Sequence, residues 1–138
     1  LDGRKMSKSY NNTIPLFAPE KRLRKLIMKV KTNSQAPEEP KDPESCTLFQ
    51  IFQAFAERDE IEALRQRYAQ GIGWGEMKNY LFEYLNDHLQ APRERYAALL
   101  EHPERIEAVL REGARKAREF SQPFLGEVRR RVGVAPLG

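Results

Sequence analysis

The apolar residues of this chain recur at helical spacing, and this feature constrains the fold more than any other. In the stretch that begins at Pro19 they fall at i, i+3, i+4 and i+7, as Leu23, Leu26, Ile27 and Val30, which is the spacing of one helix face. No segment of useful length alternates apolar and polar residues, and the sequence has no internal repeat. We therefore predict an all-α fold, a bundle of five or six helices.

Prolines, glycines and capping residues set the expected helix boundaries. Proline suits the first turn of a helix, Asp and Asn suit the N-cap, and glycine suits the position after the last turn. Proline inside a helix removes a hydrogen bond and crowds the preceding turn. The predicted helices run from Pro19 to Lys31, from Asp42 to about Phe55 or Ala56, from Asp59 to just before Gly71, from Glu76 to about Glu101, and from Pro103 onward. Pro92 should kink or break the fourth helix near Leu89. Pro123 allows a bend or restart in the last helix, and Gly133 is its expected C-cap.

Three shorter features complete the predicted fold. Residues 32–41 hold Pro37 and Pro40 and are typical of a loop or hinge outside the packed structure. The glycine cluster at 71–75 predicts a tight turn between helices, with Trp74 inserted in the core, because no strand precedes it as a dinucleotide fingerprint requires. The last helix is expected to turn one apolar face inward, comprising Ile106, Val109, Leu110, Ala114 and Ala117.

Charge is distributed unevenly along the chain. The formal net charge is +4. Residues 1–31 hold nine basic and two acidic side chains (+7), residues 32–92 hold five and eleven (−6), and residues 93–138 hold ten and seven (+3). This asymmetry favours binding of a polyanion near both ends of the chain and not near its middle. Ordinary charged helix faces would give the same totals, so charge alone does not decide between the two.

Cysteine and histidine usage excludes several kinds of site. Cys46 is the only cysteine, so an internal disulfide is impossible, and we expect it to pack in the core. His88 and His102 have no metal-ligand spacing with Cys46 or with each other, and we predict no metal site. The sequence has no apolar run of membrane-spanning length and no signal segment, so we expect a cytoplasmic protein without a membrane partner.

The N-terminal segment carries the residues best suited to a phosphate ligand. Lys5 and Lys8 lie three residues apart, with Met6 and Ser7 between them and Ser9 next. Each ammonium offers three donors on a flexible stem, and the serine hydroxyls and loop amides add more. Two lysines alone would equally suit a solvated basic loop.

The pentapeptide Lys5-Met6-Ser7-Lys8-Ser9 matches the second signature of class I aminoacyl-tRNA synthetases. Within the run from Leu1 to Asn11 it resembles the end of the nucleotide-binding domain of the bacterial tryptophanyl-tRNA synthetases. The tyrosine-specific relatives usually carry a differently built C-terminal region, which favours tryptophan. The resemblance continues, in order, through Tyr68-x-x-Gly71-x-Gly73-x-Gly75-x-x-Lys78, Arg93-Glu94-Arg95-Tyr96, Gly113-Ala114-x-Lys116-Ala117 and Val128-x-x-x-Val132-Gly133.

The sequence departs from the family pattern at two places. Asn33 stands where the family has an acidic residue, and the loop from Gln35 to Pro43 is rich in proline in its own way. Neither receives a functional role from the resemblance.

The resemblance implies a tryptophan–tRNA ligase, an enzyme that activates L-tryptophan with ATP and Mg²⁺, transfers it to tRNA(Trp) and acts as a homodimer. It implies that Lys5 and Lys8 are catalytic because they hold the departing phosphates. It also implies that ATP binds the whole signature, which comprises Lys5, Met6, Ser7, Lys8 and Ser9.

The resemblance further divides the chain into two functional parts. Residues 1–18 would be the signature loop and a connector from an upstream nucleotide-binding domain, and residues 19–138 would be a helical domain that binds the tRNA anticodon. On this interpretation the chain is the C-terminal part of a longer protein and is inactive by itself.

A stripe of basic residues on the last helix is the second candidate site. Arg111, Arg115 and Arg118 fall at i, i+4 and i+7, and Lys116 flanks them. The i, i+4 pairs Glu107–Arg111 and Glu112–Lys116 would equally make an ordinary solvated surface. Three adjacent arginines repel one another unless an anion lies over them, and the resemblance implies that this domain meets the anticodon arm. We therefore predict that the stripe contacts the tRNA backbone.

Two other function classes fit part of the pattern. A non-catalytic helical module that binds nucleic acid would share the charge distribution but would not need the signature. A helical interaction or scaffold protein would predict no nucleic-acid binding. Tryptophan-dependent exchange between ATP and pyrophosphate separates both from a ligase.

Overall fold

The computed structural model describes residues 4–134, and this part of the chain is helical with no strand, which confirms the predicted all-α class. Two compact units comprise Leu1–Glu94 and Arg95–Gly138. This spatial division does not test the functional boundary predicted after residue 18. The elements are a 3₁₀ turn at Lys8–Tyr10 and five α-helices: α1 Glu20–Met28, α2 Thr47–Gln53, α3 Arg58–Gln70, α4 Trp74–Glu101 and α5 Pro103–Arg131.

Helix α1 forms because its apolar positions share one face and Pro19 fixes its entry. Pro19 is the N-cap, and its carbonyl accepts hydrogen bonds from the N–H groups of Arg22 (2.8 Å) and Leu23 (3.0 Å). Leu23 and Ile27 are buried, as is Val30 just beyond the helix end. The predicted stripe is confirmed, although regular helix stops at Met28.

The predicted start of α2 at Asp42 is wrong by five residues. The Asp42 carboxylate does accept hydrogen bonds from the backbone N–H groups of Glu44 (3.0 Å) and Ser45 (3.3 Å), as a capping residue would. The backbone then becomes extended at Cys46 (φ −92°, ψ 115°), and the helix begins at Thr47. Asp-Pro-Glu therefore caps one isolated turn, because a local capping signal does not determine whether the next residues continue the helix.

Helix α3 begins at Arg58, one residue before the predicted Asp59, and a capping box explains the difference. Glu57 is the N-cap, its side chain accepts from the N3 backbone, and the Glu60 carboxylate accepts from the N–H of Glu57 at 2.9 Å. The helix ends at Gly71, whose φ of 97° suits glycine. The predicted interhelical turn is confirmed, and α4 follows three residues later.

The loop at residues 32–41 lies against the glycine turn, contrary to the prediction that it stands outside the packed structure. Lys41 is 4% exposed, and its ammonium donates to the carbonyls of Ala36 (2.6 Å), Pro37 (3.2 Å) and Glu39 (2.9 Å). A Cβ at Gly71 would lie 2.7 Å from the carbonyl of Glu38. The loop therefore folds around a lysine and lies directly on the glycine turn, which composition did not reveal.

The core of the first unit joins α1, α2, α3 and α4. Cys46 is buried in it, as predicted, with its Sγ 3.3 Å from the Tyr68 hydroxyl. Trp74 is only partly buried at the edge of the core, where its indole N–H donates to Asn33 Oδ1 at 3.0 Å. The fully buried side chains are Tyr68, Phe49, Phe52, Leu23, Ile27, Leu48, Leu64, Met77, Leu81, Leu85 and Val30.

Pro92 and Pro123 lie inside uninterrupted helices, so neither a break near Leu89 nor a restart at Pro123 occurs. The alternatives, a kink in α4 and a bend in α5, stay predictions. Gly133 (φ 71°) ends α5 as predicted, because its N–H reaches the Arg130 carbonyl and the N–H of Val134 reaches that of Arg129 at 2.9 Å.

The predicted inward face of α5 is not buried in the described chain. Val109 is 73% exposed and Leu110 is 66% exposed, and α5 contains no buried residue among those described. Helical periodicity identified the apolar face correctly, but periodicity does not say whether a partner covers that face.

Candidate functional site: a lysine loop and a paired arginine stripe

The N-terminal loop makes a tight reversal around the signature residues. We call residues 4–12 the lysine loop. Ser7 is extended (φ −148°, ψ 144°), the 3₁₀ turn follows, and Asn11 adopts the left-handed conformation (φ 49°, ψ 35°). The N–H of Asn11 donates to the Lys8 carbonyl at 3.2 Å. Asparagine enters this region more readily than most residues, so the chain can turn back here.

The two lysines of the loop are exposed to solvent. Neither forms an ion pair with any residue between 4 and 134. The hydroxyl oxygens of Ser7 and Ser9 lie 2.8 Å apart and form a hydrogen bond. The structure thus presents two cations, without intramolecular counter-charge in the described chain, beside a pair of hydroxyl groups. That combination suits a polyphosphate.

The loop rests beside an apolar cavity of about 430 Å³ in the first unit. Met6 lies at the cavity wall and is 40% exposed, while the Arg4 guanidinium lies 4.5 Å from the ring centroid of Tyr10. The cavity is lined by Arg4, Lys5, Met6, Ile14, Leu16, Leu23, Thr47, Gln50, Ile51, Ala54, Phe55, Leu85 and Leu89.

Sequence reasoning missed Asn12. It is 3% exposed, and its carboxamide forms hydrogen bonds within the loop. The available signal was the pair Asn11-Asn12 directly after the signature, because asparagine is typical of turns in which a side chain binds nearby backbone. That signal predicts a turn but does not indicate which of the two is buried.

The arginine stripe on α5 is exposed, and glutamates pair with most of it. Arg111 Nη2 lies 2.7 Å from Glu107 Oε1, and Lys116 Nζ lies 3.6 Å from Glu112 Oε1, which confirms both predicted i, i+4 pairs. The remaining stripe contacts join Arg115 to Glu112 at 2.7 Å and Arg115 to Glu119.

These ion pairs also explain the direction of the pKa shifts on α5. Hydrogen bonds from Arg115 and then Lys116 lower the pKa of the Glu112 carboxyl, and hydrogen bonds to Glu112 and Glu119 raise the pKa of Arg115. Counter-charges for most of the stripe are therefore already present. Repulsion among its arginines no longer argues for an external anion, and tRNA contact stays a prediction that rests on the resemblance.

Residues 4–134 contain no group of three or more His, Cys, Asp or Glu side chains that could hold a metal ion. Among the same residues, no helix is both long and apolar enough to cross a membrane.

Comparison with known proteins places the chain in a family. The family described as tRNA synthetases class I (W and Y) matches residues 1–90, which is more than half of the sequence. The chain belongs to this family of class I aminoacyl-tRNA synthetases.

The individual relatives are tryptophan–tRNA ligases. The enzyme from Pseudomonas aeruginosa is 50% identical over 99% of this chain, and that from Neisseria meningitidis is 46% identical over 99%. The alignments cover 31% and 41% of those relatives, so the chain spans about a third of their length. The crystal structure of tryptophanyl-tRNA synthetase from Campylobacter jejuni, complexed with ADP and tryptophan, matches 96% of this chain and 42% of its own with a TM-score of 0.88 and 41% identity.

Proposed function

We propose that this chain is the signature-loop and helical part of an enzyme that ligates L-tryptophan to tRNA(Trp). The observation that carries the proposal is the lysine loop, in which Lys5 and Lys8 are exposed and have no counter-charge among the described residues. Its sequence is the class I signature, and the similar curated proteins are tryptophan–tRNA ligases.

In the proposed reaction a tryptophan carboxylate oxygen attacks the α-phosphorus of ATP. A new P–O bond gives tryptophanyl-adenylate, and the bond to the bridging oxygen breaks, so the electron pair leaves with pyrophosphate. Lys5 and Lys8 contact the β- and γ-phosphates, and Ser7 and Ser9 add hydroxyl donors. Mg²⁺ arrives with the nucleotide. Cations that meet the phosphates most closely as pyrophosphate departs stabilise the transition state more than bound ATP.

The substrates and partners of the second step follow from the same proposal. The adenylate passes its tryptophan to tRNA(Trp), whose anticodon arm contacts the helices after residue 18. We place the protein in the cytoplasm, where tRNA is charged, and expect the full-length enzyme to be a homodimer.

The experiment is amino-acid-dependent exchange of labelled pyrophosphate into ATP by the full-length protein that carries this chain. Exchange with tryptophan and none with tyrosine supports the proposal. Exchange with tyrosine alone places the protein in the other branch of the family. Specific nucleic-acid binding without exchange favours the non-catalytic module.

The 138-residue chain assayed by itself gives a second readout. We expect no exchange, because residues 4–134 form helices and hold no strand-based nucleotide fold. Adenylate formation by the chain alone would overturn the assignment of its role.

A further inference from the structure

We propose that Asn12 is a positioning residue that sets the spacing and direction of the two lysines in the lysine loop. The inference rests on the proposed function for its catalytic readout. Its geometric basis, the folding of the loop around one buried carboxamide, does not depend on that function.

The Asn12 side chain forms hydrogen bonds with the backbone at the start and in the middle of the signature. The backbone N–H of Ser7 donates to Asn12 Oδ1 at 2.8 Å. Asn12 Nδ2 donates to the Lys5 carbonyl at 3.3 Å and reaches the Arg4 carbonyl at 3.5 Å. A backbone N–H can only donate and a carbonyl can only accept, so these partners fix which end of the carboxamide faces which residue.

These bonds connect positions that are far apart in sequence for so short a loop. Asn12 lies five residues after Ser7 and seven after Lys5. Its side chain therefore connects the end of the loop to its beginning. The bonds to Lys5 and Ser7 bracket the first half of the signature. The reversal at Asn11 brings Asn12 back to that point.

Burial of the Asn12 carboxamide stabilises this loop conformation. Asn12 is 3% exposed, whereas Lys5, Lys8 and Asn11 are exposed. A buried amide is costly unless its donors and acceptors are used, so the loop is stable only in a conformation that satisfies it. The result is two exposed ammonium groups on a backbone that Asn12 holds in place. Such preorganisation increases the effect of cations on a developing charge.

The matched variants are Asn12→Asp and Asn11→Asp in the full-length protein. Both add one negative charge next to the same signature, so both should repel the nucleotide phosphates to a similar extent. Only Asn12→Asp replaces an amide donor with a carboxylate that faces the Lys5 and Arg4 carbonyls. Asparagine and aspartate both tolerate the left-handed backbone of position 11.

We expect Asn12→Asp to lower kcat for tryptophan-dependent exchange on the order of 10- to 100-fold, the loss typical of misplaced catalytic groups, with the KM for tryptophan unchanged. Asn11→Asp should stay within about twofold of wild type. Transfer of tryptophan from preformed tryptophanyl-adenylate to tRNA should remain normal in both, because that step no longer involves pyrophosphate. Normal transfer also shows that the variant is folded.

A second readout needs no activity. Limited trypsin digestion should cut after Arg4, Lys5 and Lys8 faster in Asn12→Asp and Asn12→Ala than in wild type or Asn11→Asp. Equal cleavage rates and equal exchange kinetics in the two aspartate variants overturn the inference. If wild type shows no tryptophan-dependent exchange, the proposed function fails, and the cleavage rates alone decide whether Asn12 holds the loop.

Discussion

The lysine loop and the arginine stripe are both strongly basic, but they differ in what surrounds the charge. Lys5 and Lys8 have no carboxylate partner among the described residues. On α5, Arg111 pairs with Glu107 at 2.7 Å and Arg115 pairs with Glu112 at 2.7 Å. Lys116 lies 3.6 Å from the same oxygen of Glu112.

This difference separates a cation that is available to a ligand from one that already has a counter-ion. An anion approaching Lys8 meets a solvated ammonium, whereas an anion approaching Arg115 must compete with Glu112 and Glu119. Exposed ion pairs are individually weak, so competition is possible, but it lowers the gain. A count of basic residues does not distinguish the two regions as anion-binding sites. The carboxylates around the arginine stripe do distinguish it from the lysine loop.

The largest expected contrast is between Lys8→Ala and Arg115→Gln in tryptophan activation. Losing one charge-assisted contact to the departing pyrophosphate should cost about 2–4 kcal/mol of barrier, or roughly 30- to 1000-fold in rate. Pre-steady-state adenylate formation measures this loss, and tryptophan affinity should barely change. Arg115→Gln should leave the rate intact. A Lys8→Ala enzyme with a normal activation rate and weakened tryptophan binding would refute the role of the loop.

Alkaline pH should destabilise the helices that pack around Tyr68 and Tyr84 but should leave the ion pairs of α5 in place. Burial, followed by its hydrogen bond to Glu60, raises the pKa of Tyr84 to about 12, and burial raises the pKa of Tyr68. Because these hydroxyls ionise less readily when folded, their stabilising contribution is complete below pH 10 and is lost as pH rises toward 12. Arginine stays charged over this range, so the ion pairs of α5 should persist.

Urea unfolding of the full-length protein at pH 8 and pH 11 checks this expectation. Tyr84→Phe should reduce the difference in unfolding free energy between the two conditions, because the ionising group is gone. Tyr10→Phe, a change at a side chain that is 56% exposed, serves as the control. An unchanged pH dependence in Tyr84→Phe would contradict the assigned cause.

The smallest expected effect concerns tRNA. Changing Arg111, Arg115 and Arg118 together to Gln should weaken apparent tRNA affinity by a few-fold and flatten its salt dependence, because fewer phosphates are neutralised. Pyrophosphate exchange should be normal. Arg129, Arg130 and Arg131, changed together to Gln at the end of the same helix, give a control with equal charge loss. Equal results for the two triple variants would mean that the stripe is only a solvated face.

The sequence predicted those parts of the fold that depend on local periodicity. The stripe in α1 and the glycine at the end of α5 follow from spacing and backbone preference, and the structure confirms them. The late start of α2 and the carbonyl cage around Lys41 could not be predicted, because they depend on which segments meet in three dimensions. The exposure of Val109 and Leu110 was missed for the same reason.

The candidate sites divide in a similar way. The lysines were identifiable from the signature, since residue type and spacing carry their chemistry. Asn12 could not be identified from the sequence. Its proposed role depends on the chain reversal at Asn11 and on the burial of its side chain, and the residue types predict neither. The roles of the lysines and of the stripe stay predictions.

Competitive lysine labelling read by mass spectrometry tests the central claim most directly. The full-length protein is labelled with and without Mg²⁺–ATP and tryptophan, and modification of Lys5 and Lys8 is compared with that of Lys116 on α5. We predict that the nucleotide protects Lys5 and Lys8 from modification severalfold and leaves the modification of Lys116 unchanged. Equal labelling of Lys5 and Lys8 with and without nucleotide, in an enzyme active in exchange, would contradict it.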